Sequence, residues 1–386
     1  MFDYTEYAIR LRRELHQYPE IGFELPKTLA LVRRELDAMG IEYTEKFGRS
    51  SIVATINPQH KGFTIGIRAD MDALPVQEQT ELEFKSKIPG QMHACGHDIH
   101  TAMLLATARK LNDQKDDLRC RVKLLFTPAE EYITPGSKEM AEKGVMDDID
   151  CAIACHVNPL YDVGDVRLTY GGQGANSMGI TVEFFGVSAH ANAQHKGVDA
   201  IRMAVESYTA MENMVAKELP PTTPRLLNVG VFEGGKTNNV ICDYCKLFLT
   251  TRAHSDEVTD YMHDRIVQIC EGIASLHGGR AQVTVNKLLP YVVNHETVAS
   301  RLQTAAEKVV GKNHIGIHPR SLGGEDFGYL SRKKPCAMFQ LGSRSTLPGS
   351  EKPLHNAQIN FDENCMKVGV DTFVQFVLDN QDGIAL

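Results

Sequence analysis

Between His93 and Thr101 the chain reads His-Ala-Cys-Gly-His-Asp-Ile-His-Thr, which gathers three imidazoles, a thiol and a carboxylate into nine residues. A single glycine separates Cys95 from His97, so the backbone can bend there and bring both donor atoms toward one point. Such a cluster suits a metal ion. Structural zinc sites present paired Cys-x-x-Cys or His-x-x-x-His spacings. A lone Cys-x-His must draw its remaining ligands from distant parts of the chain, which is the habit of a reactive centre. The competing reading of this stretch by itself is a buried cysteine beside surface histidines.

Further donors stand where apolar runs end. Phe63 to Ala69 leads into Arg68-Ala69-Asp70-Met71-Asp72-Ala73-Leu74-Pro75, Val122 to Thr127 into Pro128-Ala129-Glu130-Glu131, and Ala152 to Cys155 into His156. Polar groups at the carboxyl ends of strands line the ligand crevice of an open α/β sheet. With His355 of Pro353-Leu354-His355-Asn356, the candidate ligands are Cys95, His97, Glu131, His156 and His355. Five donors hold two divalent ions only if one of them bridges, and a thiolate has the lone pairs to do so. Two such ions lower the pKa of a shared water and clamp the charge of a tetrahedral intermediate. Neighbouring side chains on extended backbone point apart, so one of the adjacent glutamates can bind metal while the other takes the water's proton; Glu130 is read as that base. Two surface glutamates at a helix start would look the same in sequence, and His156 alone reads equally as a core histidine.

The elements that must carry these groups follow from periodicity. Ala102, Leu104, Leu105, Ala108 and Leu111 have helical spacing, so the Cys95–His97 donors sit in the loop leading into a helix. Leu29, Val32, Leu36 and Met39 form an earlier helix that Gly40 stops. Ser51 to Ile56 and Phe63 to Ala69 read as a strand pair about a turn at Pro58. From Ser177 the pattern changes. Met178, Ile180, Val182 and Phe184 alternate with the residues between them, and the order strand, helix, strand, strand, helix, strand runs to about residue 288, the split β-α-β of ferredoxin-like domains. Helical spacing then resumes at Val298, Leu302, Ala305 and Val309, followed by a buried strand from Cys336 to Leu341. The expected architecture is therefore α/β, a mixed-sheet catalytic domain over 1–176 and 291–386 interrupted by an inserted α+β domain over 177–290.

Composition narrows the class. A 386-residue chain with 42% hydrophobic and 23% charged residues has material for two domains, and none of its apolar runs approaches the ~18 residues of a membrane span. Net charge of −8 and a pI near 6.0 supply no basic stripe, so neither nucleic acid nor membrane is expected as a partner. Nine scattered cysteines and a charged, amphipathic Met1-to-His16 segment in place of a signal peptide point to the cytoplasm.

The ordered set R-A-D-M-D-A-L-P, H-A-C-G-H-D-x-H-T, P-A-E-E, a lone histidine after a strand, G-x-x-A-H-A, N-V-I, G-x-E-D-F and L-H-N resembles the M20 family of metallopeptidases over nearly the whole chain. It is most similar to the amidohydrolase branch, which includes N-acyl-amino-acid, hippurate and indole-acetyl-amino-acid hydrolases. The resemblance implies a binuclear site for manganese, zinc or cobalt, with Cys95 where related branches place a bridging aspartate and His97, Glu131, His156 and His355 as the other ligands. It also implies Glu130 as general base and Asp72 as a carboxylate fixing an imidazole. In Gly186-Val187-Ser188-Ala189-His190-Ala191 it implies that His190 stabilises the oxyanion in a neighbouring active site, and hence a homodimer or higher homo-oligomer. Asn239 and Arg252 correspond to contacts with the substrate carboxylate, which Arg's planar fork suits. Two departures bear on substrate preference: Ala193-Gln194-His195 lacks the family's proline, and Thr250-Thr251-Arg252 replaces G-T-x-R. Glu325-Asp326-Phe327 matches with no chemistry assigned to it.

The implied activity is hydrolysis of an N-acyl amino acid to a carboxylic acid and a free amino acid. A dipeptidase or aminopeptidase is the nearest alternative, but it needs a site for a free α-amine, and the sequence shows no acidic pocket for one. A metal-binding scaffold without turnover needs ligands but no base, so Glu130 argues against it. A thiol sensor at Cys95 requires that thiol to be free of metal.

Overall fold

The computed structural model describes residues 2–132 and 134–386; Met1, the first residue of the expected N-terminal segment, falls outside them. In the first stretch of chain, helices α1 (Tyr4–Gln17) and α2 (Pro26–Met39) precede strands β1 (Glu42–Thr44), β2 (Ile52–Ile56) and β3 (Thr64–Asp70). Then come α3 (His97–Asn112), β4 (Arg121–Thr127), α4 (Gly136–Glu142), β5 (Cys151–Asp162), β6 (Val166–Leu168) and β7 (Gly171–Gln173). The middle stretch carries β8 (Asn176–Phe185), α5 (Ala200–Lys217), β9 (Arg225–Gly234), β10 (Tyr244–Ala253), α6 (Asp256–Leu276) and β11 (Arg280–Leu289). The last carries β12 (Val292–Asn294), α7 (Glu296–Val310), β13 (Ile315–Ile317), α8 (Phe327–Ser331), β14 (Cys336–Arg344) and α9 (Cys365–Asn380). These elements form two compact units. One comprises Met1–Gln173, Val292–Arg320 and Asp326–Leu386, the other Gly174–Tyr291 with Ser321–Glu325.

The larger unit is built on a mixed sheet in the order β1-β2-β4-β3-β5-β14-β12-β7, with β6 and β13 attached beside β14. Its centre, β4-β3-β5-β14, is parallel. Every residue of β3 is buried, as expected of a strand covered on both faces. The expected pairing of β2 with β3 is not found: β4 lies between them, antiparallel to β2 and parallel to β3. Parallel neighbours need a long crossover, and α3 supplies it, buried at thirteen of its sixteen residues. Nor does the strand before His156 stop there; β5 continues to Asp162, so His156 lies within it. Gly40 ends α2 as the sequence indicates, in the left-handed conformation at φ 66°, and Pro26 stands at the start of the same helix, where its missing N–H costs nothing.

The smaller unit is an antiparallel sheet in the order β11-β8-β10-β9 with two helices, a ferredoxin-like β-α-β-β-α-β. The alternation from Ser177 buries Met178, Ile180, Val182 and Phe184 against Met203 and Met211 of α5 and Met262 and Ile266 of α6. Strand β9 is an edge of this sheet, and Leu226 and Phe232 on it are exposed. Among the described residues no helix is long and apolar enough to cross a membrane.

Candidate metal centre

Because β3, β4 and β5 run parallel, the segments leaving β3 and β4 emerge on one edge of the sheet, and His156 lies toward that end of β5. The β3 exit carries Asp72, and the β4 exit carries Glu130 and Glu131 after Ala129, whose φ is +59°. Gly96 brings the Cys95–His97 loop against β5. At φ +85° an added Cβ would lie 2.3 Å from Val157 Cγ2, so only glycine allows this approach. From the far end of the chain, the His355 backbone N–H donates to Ala94 O at 2.9 Å, tying the last candidate ligand to the cysteine loop.

The donors converge. Single donor atoms of Cys95, His97 and His156 lie within 4.8 Å of one another, and so do those of Cys95, Glu131 and His355. The two trios have only Cys95 in common. Cys95 Sγ is 3.4 Å from His156 Nε2, and His355 Nε2 forms an ion pair with Glu131 Oε1 at 3.0 Å. His97 Nε2 and Glu131 Oε1 are buried without a hydrogen-bond partner. Such atoms are costly unless something else satisfies them, and a divalent cation amid thiol, imidazole and carboxylate donors does so.

Each imidazole is turned so that Nε2 faces this cluster. His97 Nδ1 lies 2.9 Å from Asp72 O and His156 Nδ1 lies 2.7 Å from Val157 O; since a carbonyl only accepts, both Nδ1 atoms carry the proton. The Asp72 carboxylate accepts the N–H of Glu130 at 2.9 Å and of Glu131 at 3.1 Å, and stands 3.6 Å from His97 Nδ1. Asp72 thus grips both glutamates through its side chain and the histidine through its carbonyl. Glu130 is 8% exposed.

The electrostatics call for positive charge. Burial and the charge of Glu131 push the Cys95 thiol well above its ordinary pKa. Burial would also raise Glu131, yet His355 and His97 bring it down to about 2. Burial opposes charge on His97, but Asp70 and Cys95 outweigh it and hold that imidazole well above its usual value. A cation at the shared cysteine would favour thiolate and neutral imidazole together.

Four residues behind the donors were not assigned a role from sequence. Asp70 accepts from His100 Nδ1 at 2.6 Å and from Arg68 Nη1 at 2.6 Å. His100 Nε2 accepts the Val157 N–H at 2.9 Å, so both its nitrogens are committed and it is a spacer rather than a ligand. Arg68 pairs in turn with Asp326, which accepts from the backbone N–H and the hydroxyl of Ser137. The signal for His100 lay inside the His93–Thr101 stretch; that for Arg68 and Asp326 lay in the matching motifs, but nothing in the sequence joined them. Asp98 instead faces α1, paired with Arg12 and His16 at 2.8 Å each.

The remaining candidates lie in the smaller unit, where they are not all brought together. His190 and Val240, next to Asn239, form a β-bridge, and the Ala191 N–H donates to Asn239 O at 3.0 Å, so His190 and Asn239 share one loop pair. This pairing prolongs the β8–β10 ladder beyond Phe185 and Tyr244. Arg252 is at the opposite end of β10, opposite Ser177 and eight residues from Tyr244, which is about 26 Å along a strand. Arg252 is half-buried, and burial lowers its pKa; its guanidinium donates to Thr250 Oγ1 and Thr251 O, and no carboxylate among the described residues pairs with it.

A mixed α/β sheet carrying this donor cluster at its strand ends defines a metal-dependent hydrolase. The chain belongs to peptidase family M20/M25/M40, whose model matches residues 66–379. It is 36% identical over 335 residues to the N-acetyl-L-cysteine deacetylase of Bacillus subtilis, covering 87% of this chain and 80% of that one. It is 32% identical over 367 residues to thermostable carboxypeptidase 1 of Saccharolobus solfataricus, covering 94% and 93%. Among solved structures, a dinuclear metal binding M20 peptidase from Bacillus subtilis superposes with a TM-score of 0.82 at 28% identity, covering 97% of this chain and 98% of that one.

Proposed function

We propose that the protein hydrolyses the amide bond of N-acyl amino acids at a centre of two divalent cations, manganese, zinc or cobalt. The observation that carries this reading is the pair of donor trios meeting only at Cys95. Cys95 would be shared between the two ions, with His97 and His156 able to complete one position and Glu131 and His355 the other. The cations supply the charge that acidifies a water and neutralises a developing oxyanion. Glu130, buried and held through its N–H by Asp72, takes the proton from the water and returns it to the leaving nitrogen. Arg252, a half-buried cation with which no carboxylate among the described residues pairs, receives the carboxylate of the amino-acid half.

Asn239 and His190 stand about 26 Å or more along the sheet from Arg252, too far to share one substrate within a chain. A homodimer resolves this, with His190 and Asn239 supplied by the partner subunit. The β9 edge with exposed Leu226 and Phe232, flanked in sequence by α5 with exposed Val205 and Tyr208, is the surface for it. The cytoplasm is the compartment that nine unpaired cysteines suit.

The second reading is peptide hydrolysis, favoured by the similarity to a carboxypeptidase. A screen of acetyl-, benzoyl- and indole-acetyl-amino acids against dipeptides, on manganese-, zinc- and cobalt-loaded protein, separates the two. Turnover confined to dipeptides would overturn the N-acyl assignment.

A further inference from the structure

Side chains on β5 and β14 alternate between the two faces of the sheet. Val157, Phe339 and Leu341 are buried in the core on one face, Ala154 and Met338 in the core on the other. His156, Asn158 and Gln340 therefore share the second face. Gln340 stands opposite His156 in the parallel register, so its Cα lies about 5 Å from that of a candidate ligand.

A backbone group fixes which way the two amides of this face point. The Leu160 N–H can only donate, and it meets the Asn158 side chain at 3.0 Å, so the atom there is Oδ1. Asn158 then has Nδ2 turned toward Gln340 at 2.8 Å, and the Gln340 atom that accepts from it is Oε1. Gln340 is left with Nε2, whose two N–H bonds no group among the described residues accepts. Asn158 and Gln340 are each 7% exposed, so their packing holds this orientation.

The next strand leaves that donor uncontested. Arg167 of β6 stands opposite Gln340, but its guanidinium lies over β13, on the side of β6 away from β14: a Cβ on Gly316 would lie 1.8 Å from Arg167 Nη1. Arg167 Nη2 is paired with Asp165 at 2.6 Å. The cation is thus neutralised beyond β6, and Gln340 is a neutral, oriented donor beside the candidate ligand His156.

We propose that Gln340 selects substrates that carry an acceptor-only oxygen group, such as a second carboxylate, on the acyl chain or on the amino-acid side chain. The inference rests on the amide-hydrolase reading and adds to it a feature of the substrate. An oxygen that only accepts satisfies the Nε2 protons, whereas an apolar group of the same shape strips them of water and leaves them unpaired. The preference depends on Asn158 as well, because Asn158 decides that nitrogen rather than oxygen faces the substrate.

Shape-matched pairs in which an isopropyl group replaces a carboxylate distinguish the two locations: N-succinyl-alanine against N-(4-methylpentanoyl)-alanine, and N-acetyl-aspartate against N-acetyl-leucine. The test is the kcat/KM ratio within each pair for wild type, Gln340→Met and Asn158→Asp, with circular dichroism and metal analysis to verify the proteins. In the responsive pair, Gln340→Met should lower the ratio of carboxylate to isopropyl substrate about ten- to a hundredfold, the worth of a hydrogen bond to a charged group. Asn158→Asp should lower it too although Gln340 is intact, because the new carboxylate accepts from Nε2 and turns Oε1 toward the substrate. A structural pair would slow both members of each pair together, and unchanged ratios in both variants would overturn the proposal. Calorimetric titration of the metal-loaded protein with succinate against 4-methylpentanoate, and with aspartate against leucine, reads the same donor without turnover. One dicarboxylate should bind several-fold more tightly than its match, and Gln340→Met should remove the difference. No difference in wild type, or a difference that survives Gln340→Met and so belongs to the metal centre, overturns the proposal. If no amide is cleaved while Gln340→Met removes that difference, the reaction assignment fails and the donor site stands.

Discussion

Arg68 and Asp326, 258 residues apart, form a buried ion pair, and Arg68 extends its other Nη to Asp70. From Asp70 the connection runs through His100 to the Val157 N–H, adjoining His156. A residue of the last chain segment is thus joined by side chains to a candidate ligand on β5.

Removing one partner of a buried pair leaves the other charge uncompensated. Asp326→Asn should cost on the order of 3 to 5 kcal/mol in urea unfolding and lower the metal content of the purified protein. A loss below about 1 kcal/mol with full metal content would show that the pair positions nothing.

The bridging thiol has an elemental readout. Cys95→Ala should lower bound metal and abolish turnover, while Cys95→Asp, an oxygen bridge of similar reach, should keep part of both. Chelation of the wild type should lower Tm, because the buried His97 Nε2 and Glu131 Oε1 then lose the cation and make no hydrogen bond in its place. Full metal content in Cys95→Ala would remove the bridge.

Glu130 and Glu131 share one carboxylate clamp in Asp72 and are assigned different tasks. Glu130→Gln should bind metal normally and lose on the order of a hundredfold or more in kcat. Glu131→Gln should lose metal first. The opposite pattern would exchange the two roles.

What the sequence made legible was local. The Gly40 stop and the alternation through Met178 to Phe184 each depend on spacing within one element, and each appears in the structure as read, whereas α3 begins already at His97, so that of the Cys95–His97 pair only Cys95 lies in the loop before the helix. The pairing of β2 with β3 was misread because neighbour order depends on where a crossover returns, and α3 brings β4 between them. The Arg68–Asp326 pair lay beyond reach for the same reason: both residues stood in recognisable motifs, but only the fold brings residues 258 apart into contact. The Asp72 carboxylate, read from sequence as fixing an imidazole, stands 3.6 Å from His97 Nδ1 and is also aimed at two amides, which the course of the backbone after β4 brings to it and spacing alone does not show.

Arg252 has no carboxylate of its own among the described residues, and an N-acyl amino acid would supply one. Arg252→Ala should raise KM for acetyl-amino acids by about ten- to a hundredfold, the worth of a charged hydrogen bond, and leave decarboxylated N-acyl amines, already poor substrates, little changed. Equal penalties on both substrate types would exclude carboxylate recognition.

The separation of Arg252 from His190 and Asn239 along β10 carries the last prediction. If each active site combines Glu130 of one chain with His190 of its partner, Glu130→Ala and His190→Ala proteins are both inactive as homodimers. Their heterodimer contains one site with both defects and one with neither, because a two-fold axis exchanges the contributions. Random co-assembly makes about half the dimers heterodimers, each with one intact site of two, so roughly a quarter of wild-type activity should return on joint refolding or co-expression. Salt should not abolish the rescue once dimers have formed, since the exposed β9 residues Leu226 and Phe232 offer apolar area rather than charge to the interface. Absence of rescue, with heterodimers shown by differential tags, would mean that His190 serves its own chain or takes no part in the reaction.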